Sequence, residues 1–154
     1  MQLLVIEYAR NVLKLKDANT REVNPSSKNI IIDIMEDQKE KIATKKLGGS
    51  MRLGAFTAHL KKGSVAETAY KSSTVSERHR HRYEVNNHYR EDLEKAGLVF
   101  SGLSPDGKLA EIAELPPSKH PFFLGTQFHP EFKARPLSPH PLFTALIKAC
   151  IKKK

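Results

Sequence analysis

Leu98-Val99-Phe100-Ser101-Gly102-Leu103-Ser104-Pro105-Asp106-Gly107-Lys108-Leu109-Ala110-Glu111-Ile112-Ala113-Glu114-Leu115 is two apolar runs around a turn. Leu98 to Gly102 and Leu109 to Leu115 read as strands. Ser104-Pro105-Asp106-Gly107 joins them with residue types that favour tight turns. Just upstream, Asn87 is placed to cap a helix that runs through Lys95 and stops at Gly97. Before that, Arg78 to Val85 reads as a strand. Downstream, Phe122 to Phe128 is another strand. Ser138 to Ile151 holds a last helix, with Leu142, Ala145, Leu146, Ala149 and Cys150 as its inner face.

The first half reads less regularly. Residues 2–13 repeat apolar side chains at spacings of three and four, which predicts an amphipathic helix with a broad buried face. Residues 16–29 are polar and turn-rich and read as a loop. Asn29 to Met35 is short and β-branched, hence a strand, and Met51 to Leu60 is another. Glu36 to Ser50 is charged, ends in Gly48-Gly49 and reads as a surface loop. Ser64 to Tyr70 reads as a short helix, since Ser64 and Glu67 have the capping-box spacing. The whole is a mixed α/β chain with its strands gathered in the second half.

Composition narrows the function classes. The 154 residues suit one domain or part of a larger one. With 39% hydrophobic and 28% charged residues, the chain can bury a core. No apolar run reaches the ~18 residues of a membrane span. The start, Met1 to Glu7, lacks the basic region of a signal peptide. The single cysteine, Cys150, excludes a disulfide framework and fits a reducing, cytoplasmic setting. The net charge of +9 admits nucleic acid, an anionic membrane or an acidic substrate. Part of that excess lies in Lys39 to Lys46 and Lys152 to Lys154, which read as solvated segments. Gly48-Gly49 has neither the P-loop nor the dinucleotide-binding spacing.

Three features could carry chemistry. In Gln127-Phe128-His129-Pro130-Glu131-Phe132, the histidine and glutamate are two apart. Pro130 disfavours helix at His129, and residues i and i+2 of an extended segment share a side. An imidazole oriented by a carboxylate could then deprotonate a nucleophile. A strand-end histidine beside a surface glutamate is the other reading. Arg78-His79-Arg80-His81-Arg82-Tyr83-Glu84 would put arginines on one strand face and histidines on the other. It could be an anion site, a metal site, or a charged strand paired with acidic neighbours. Cys150 lies on the predicted inner face of a C-terminal helix, where a packing role suits it better than reactivity.

Several segments, in order, resemble one family. Gln127-Phe128-His129-Pro130-Glu131 is similar to the His-x-Glu signature of class I (triad-type) glutamine amidotransferases. Met1-Gln2 with Val5 to Val12, Asp17 to Glu22, Gly48 to Gly54, Glu77 to Asn87, Ser104 to Gly107 and His140 to Phe143 resemble the amidotransferase domain of the CTP synthase family. The resemblance implies an α/β, flavodoxin-like fold with a mostly parallel sheet flanked by helices. Residues 1–154 would be the C-terminal portion of that domain, with its N-terminal strands missing. It implies glutamine hydrolysis supplying ammonia to a synthase domain that uses ATP and Mg2+ to aminate UTP to CTP, with GTP as activator. This chain itself is expected to bind no cofactor and no metal.

By the same resemblance, His129 is the general base and acid and Glu131 orients it. Met1 and Gln2 match positions in the L-glutamine pocket. Glu22 matches the acceptor of the substrate α-amino group, and Arg82 a pocket position that could face the α-carboxylate. The family's cysteine stands in a Gly-Ile-Cys-Leu-Gly turn directly before Met-Gln, so the chain is expected to be a fragment. Such a fragment would be inactive alone, and poorly soluble or partly unfolded unless another polypeptide supplies the missing piece. Its expected partners are L-glutamine, the upstream amidotransferase segment and the synthase domain, with no nucleic acid or membrane. A non-catalytic remnant that binds glutamine or a partner is one alternative. A basic nucleic-acid-binding protein, whose affinity would fall with salt, is the other.

Overall fold

The computed structural model describes residues 1–34 and 51–151. The expected loop at Glu36 to Ser50, the Gly48-Gly49 segment and the terminal lysines lie outside these residues. Strands β6 (Val99–Leu103) and β7 (Ala110–Glu114) pair antiparallel across the Ser104–Gly107 turn. Gly107 takes φ 73°, a region costly for other residues, and its N–H closes the turn on the Ser104 carbonyl at 2.8 Å. Asp106 accepts from the Ser104 hydroxyl and from the Lys108 N–H.

Two sheets result. One has the order β4-β3-β6-β7-β8, built from Thr74–His81, Arg52–Leu60, β6, β7 and Leu124–Thr126. The other has the order β1-β2-β5, from Asn19–Thr20, Ile30–Ile34 and Tyr83–Val85. The α/β class holds, but the expected mostly parallel sheet does not appear among the described residues. Only β1 and β2 pair in parallel; every other pairing is antiparallel. The reason is connection length: tight turns such as Ser104–Gly107 can only reverse the chain, whereas parallel neighbours need a long crossover.

Helix α1 (Gln2–Asn11) buries Val5, Ile6 and Ala9 against Ile31 and Ile32 of β2. Its face is narrower than predicted, since Leu3 and Val12 are exposed. Helix α2 (Val65–Tyr70) is capped as predicted: the Ser64 side chain accepts from the Glu67 N–H at 3.0 Å. The Glu67 carboxylate reaches back to the Gly63 N–H. A second carboxylate reinforces that end, because buried Glu114 accepts from the N–H groups of Val65 and Ala66 and from the Ser101 hydroxyl.

Three local expectations need correction. Arg78 to Val85 is not one strand: it breaks at Arg82, and β4 and β5 belong to different sheets. Asn86, not Asn87, caps the turn Asn87–Tyr89 that leads into α3 (Arg90–Lys95). The Asn87 amide instead donates to the Lys108 carbonyl and ties this turn to the β6–β7 hairpin. In α4 (Pro141–Ile151) only Leu142 is buried, and Leu146 and Cys150 of the predicted inner face are exposed. The helix meets the body through α2 and its own first turn, and Leu146, Ile147 and Ile151 of its later turns are exposed.

Candidate functional site

His129 follows β8 in extended conformation (φ −107°, ψ 94°), as expected for a residue before proline. Pro130–Phe132 then turns as a 3-10 helix rather than continuing extended. The turn still brings Glu131 Oε1 to 2.7 Å from His129 Nδ1. A carboxylate only accepts, so Nδ1 carries a hydrogen, and Nε2 is the ring nitrogen that Glu131 leaves free. This hydrogen bond holds Glu131 below the usual carboxylate range. The His129 ring stacks on Phe132, with centroids 4.8 Å apart and planes 18° apart. Its backbone N–H donates to the Arg78 carbonyl at 2.9 Å, which fixes the dyad to β4.

His129 borders an open cavity of about 560 Å³. Met1, Gln2, Glu22 and Arg82, the four residues expected to hold a substrate, all line it. They arrive from three separate places: the start of α1, the turn after β1 and the link between β4 and β5. Close packing makes the convergence possible. A Cβ on Gly125 of β8 would stand 2.8 Å from the Met1 Cα, so only glycine lets α1 come this near. Glu131 does not line the cavity and acts on it only through His129. Cys150, exposed in α4, is not among the lining residues either.

Sequence reasoning missed what lies beneath the cavity floor. The alternation along β4 turns Arg78 and Arg80 outward and Glu77, His79 and His81 inward. Arg80 reaches the cavity wall beside Arg82. The inward histidines meet Glu111 of β7 and Glu84 of β5, with Arg52 of β3 between the carboxylates. Arg52 Nη1 is 2.7 Å from Glu111 and 3.5 Å from Glu84. His79 Nδ1 and His81 Nε2 are 2.8 Å apart. For the histidine face, the reading of a charged strand with acidic neighbours is therefore the right one. Burial, aided by Arg52, pushes His79 down to about 3 and His81 down to about 4. Burial pushes Glu84 up to about 7 and raises Glu111 as well.

His79, His81 and Glu111 place three metal-ligand atoms within 4.8 Å of one another. The Arg52 guanidinium already stands against both carboxylates there. Its positive charge opposes a cation, so the cluster is electrostatically served without one.

The family model for glutamine amidotransferase class-I matches residues 1–149. The chain belongs to the class-I glutamine amidotransferases. This amidotransferase is 56% identical over 151 residues to a CTP synthase of Rubrobacter xylanophilus, covering 98% of this chain and 26% of that protein. It is 53% identical to a CTP synthase of Aquifex aeolicus, covering all of this chain and 28% of that one. A solved structure, the Trypanosoma brucei CTPS glutaminase domain with bound acivicin, superposes with a TM-score of 0.88 at 40% identity. That match covers all of this amidotransferase chain and 58% of the other. The chain thus spans about a quarter of the length of the curated relatives it matches.

Proposed function

We propose that this chain forms the His-Glu side of a glutamine-hydrolysing site in a longer CTP synthase. The observation that carries the reading is the convergence of His129, Met1, Gln2, Glu22 and Arg82 on one cavity. L-Glutamine would sit there with its α-ammonium toward Glu22 and its α-carboxylate toward Arg82, opposite charges matched at each end. His129, held by Glu131, takes a thiol proton through Nε2 and returns a proton to the departing ammonia. The full-length relatives support a further step, in which the ammonia aminates UTP to CTP at the expense of ATP.

The thiol is not Cys150, which lies outside the cavity. It would come from a segment joined to or docked beside Met1, and the chain by itself hydrolyses no glutamine. ATP, Mg2+ and the activator GTP would bind the longer protein elsewhere. The described residues show no glycine-rich phosphate loop, and the His79–His81–Glu111 group offers nitrogen donors rather than the oxygen set that Mg2+ takes. The unpaired cysteine suits a cytoplasmic setting. Among the described residues, no helix is long and apolar enough to cross a membrane.

The test is ammonia release from L-glutamine by the chain alone and mixed with a polypeptide carrying the family's cysteine turn. Release only in the mixture, abolished by His129→Ala, is expected. Equal release by the His129→Ala mixture would remove the dyad from the reaction.

A further inference from the structure

The floor of the cavity is organised around one backbone oxygen. The Tyr83 carbonyl accepts from Gln2 Nε2 at 3.1 Å, Gln127 Nε2 at 2.9 Å and His81 Nδ1 at 3.2 Å. Gln127 has further partners. Its Nε2 also donates to Glu84 Oε2 at 2.7 Å, and its Oε1 accepts from Gln2 Nε2 at 3.2 Å. Gln127 is buried in the cavity wall, which Gln2 also lines.

The direction of these bonds is forced. The Tyr83 carbonyl can only accept, whether or not Glu84 carries a proton, so the Gln127 Nε2 must face Tyr83 and with it Glu84. A flipped amide would set its oxygen against the Tyr83 carbonyl. With Nε2 committed, Oε1 must face Gln2. The Gln2 amide then turns both of its Nε2 hydrogens inward, one to Gln127 and one to Tyr83. Its own oxygen makes no hydrogen bond among the described residues and is left for the cavity.

We propose that Gln127 is a positioning residue: by a one-way hydrogen-bond chain anchored on Glu84 and the Tyr83 carbonyl, it fixes the Gln2 side chain with its oxygen presented to a hydrogen-bond donor of the substrate. This rests on the reading of the cavity as a glutamine site. Gln127 also borders the cavity, but its amide is committed to Tyr83, Glu84 and Gln2, so it acts by removing the freedom of Gln2 to present its NH2 group. A ligand with donors is thereby preferred over one with only acceptors at that point.

The test uses the chain completed by the cysteine-bearing polypeptide. Gln127→Glu puts a carboxylate against Glu84 and the Tyr83 carbonyl. It is expected to raise KM for glutamine about tenfold, the scale of one lost hydrogen bond, with kcat changed much less. In a Gln2→Ala background, Gln127→Glu has no Gln2 amide left to misorient. There Gln127→Glu is expected to raise KM by less than about threefold, a coupling that independent packing effects do not give. Thermal melts of all three variants accompany the kinetics. In the unsubstituted chain, slowed exchange of the Gln2 and Gln127 side-chain amide protons provides a variant-free reading of the same bonds. An unchanged KM in Gln127→Glu, an equal rise in the Gln2→Ala background, or unprotected amides each overturn the proposal. If the completed parent shows no saturable glutamine turnover, the glutamine-site reading fails, and this inference with it.

Discussion

The His79–His81 pair has one consistent proton arrangement. The Tyr83 carbonyl takes the His81 Nδ1 hydrogen, which leaves His81 Nε2 as acceptor for the His79 Nδ1 hydrogen. Both rings are therefore neutral Nδ1–H tautomers, and their folded values of about 3 and about 4 keep them neutral well below pH 6. Long-range 1H–15N NMR at pH 5.5 is expected to show two imidazoles in this tautomer; a protonated ring at either position would break the assignment. At this scale the sequence was partly legible. The His-x-Glu spacing predicted the dyad contact, though a 3-10 turn and not an extended strand makes it. Arg52, Glu84, Glu111 and Gln127 were not legible as partners, because they lie on four different segments and nothing local links them.

At the scale of elements, the approach of α1 to β8 sets the cavity. Gly125→Ala would drive a methyl group to within 2.8 Å of the Met1 backbone, which cannot yield as a flexible side chain does. The expected result is a cost of about 1–3 kcal/mol in chemical denaturation, the usual range for overpacking, together with weaker glutamine binding. Loss of stability without any change in binding would separate this contact from the site. Ser64→Ala is expected to cost about 1 kcal/mol by removing the α2 cap. Less would mean that Glu114, which holds the Val65 and Ala66 N–H groups, already secures that end. The cap was readable because its signal is four residues long. The two-residue β1 was not, since its pairing with β2 depends on contacts outside its own sequence. The break at Arg82 was hidden for the same reason: alternation continues through it, and only the partners of β4 and β5 differ.

Over the whole molecule, the buried cluster makes opposed contributions to pH stability. His79 and His81 have lowered values, so their contribution is present above the ordinary 6.5 and is lost as pH falls through about 4 to about 3. Glu84 is raised, so its contribution is present below the ordinary 4.5 and is lost as pH rises through about 7. Between 4.5 and 6.5 the slopes oppose one another; below 4.5 the histidine loss stands alone. Melting temperature is expected to change little across the first window and to fall below it. Glu84→Gln removes one opposing slope, so its melting temperature should climb from pH 4.5 to 6.5 more steeply than the parent's. Parallel curves for the two chains would show that Glu84 titrates as an ordinary carboxylate. The α/β class and the order of elements were legible at this scale, but strand sense was not: apolar runs mark strands, while connection length and partner choice decide direction.

Met1 borders the same cavity as His129, and its amino group points to the Thr126 carbonyl at 3.4 Å. Any residue bonded to that nitrogen starts within the cavity's wall. At about 3.8 Å between successive Cα atoms, a side chain three positions earlier lies within roughly 11 Å of Met1. A tethered thiol would then meet the imidazole at a local concentration in the millimolar range or above, whatever the bulk dilution. A separate polypeptide has no such tether. Complementation in trans is thus expected to depend on protein concentration and to fade on dilution, whereas a single covalent chain would keep its rate per molecule.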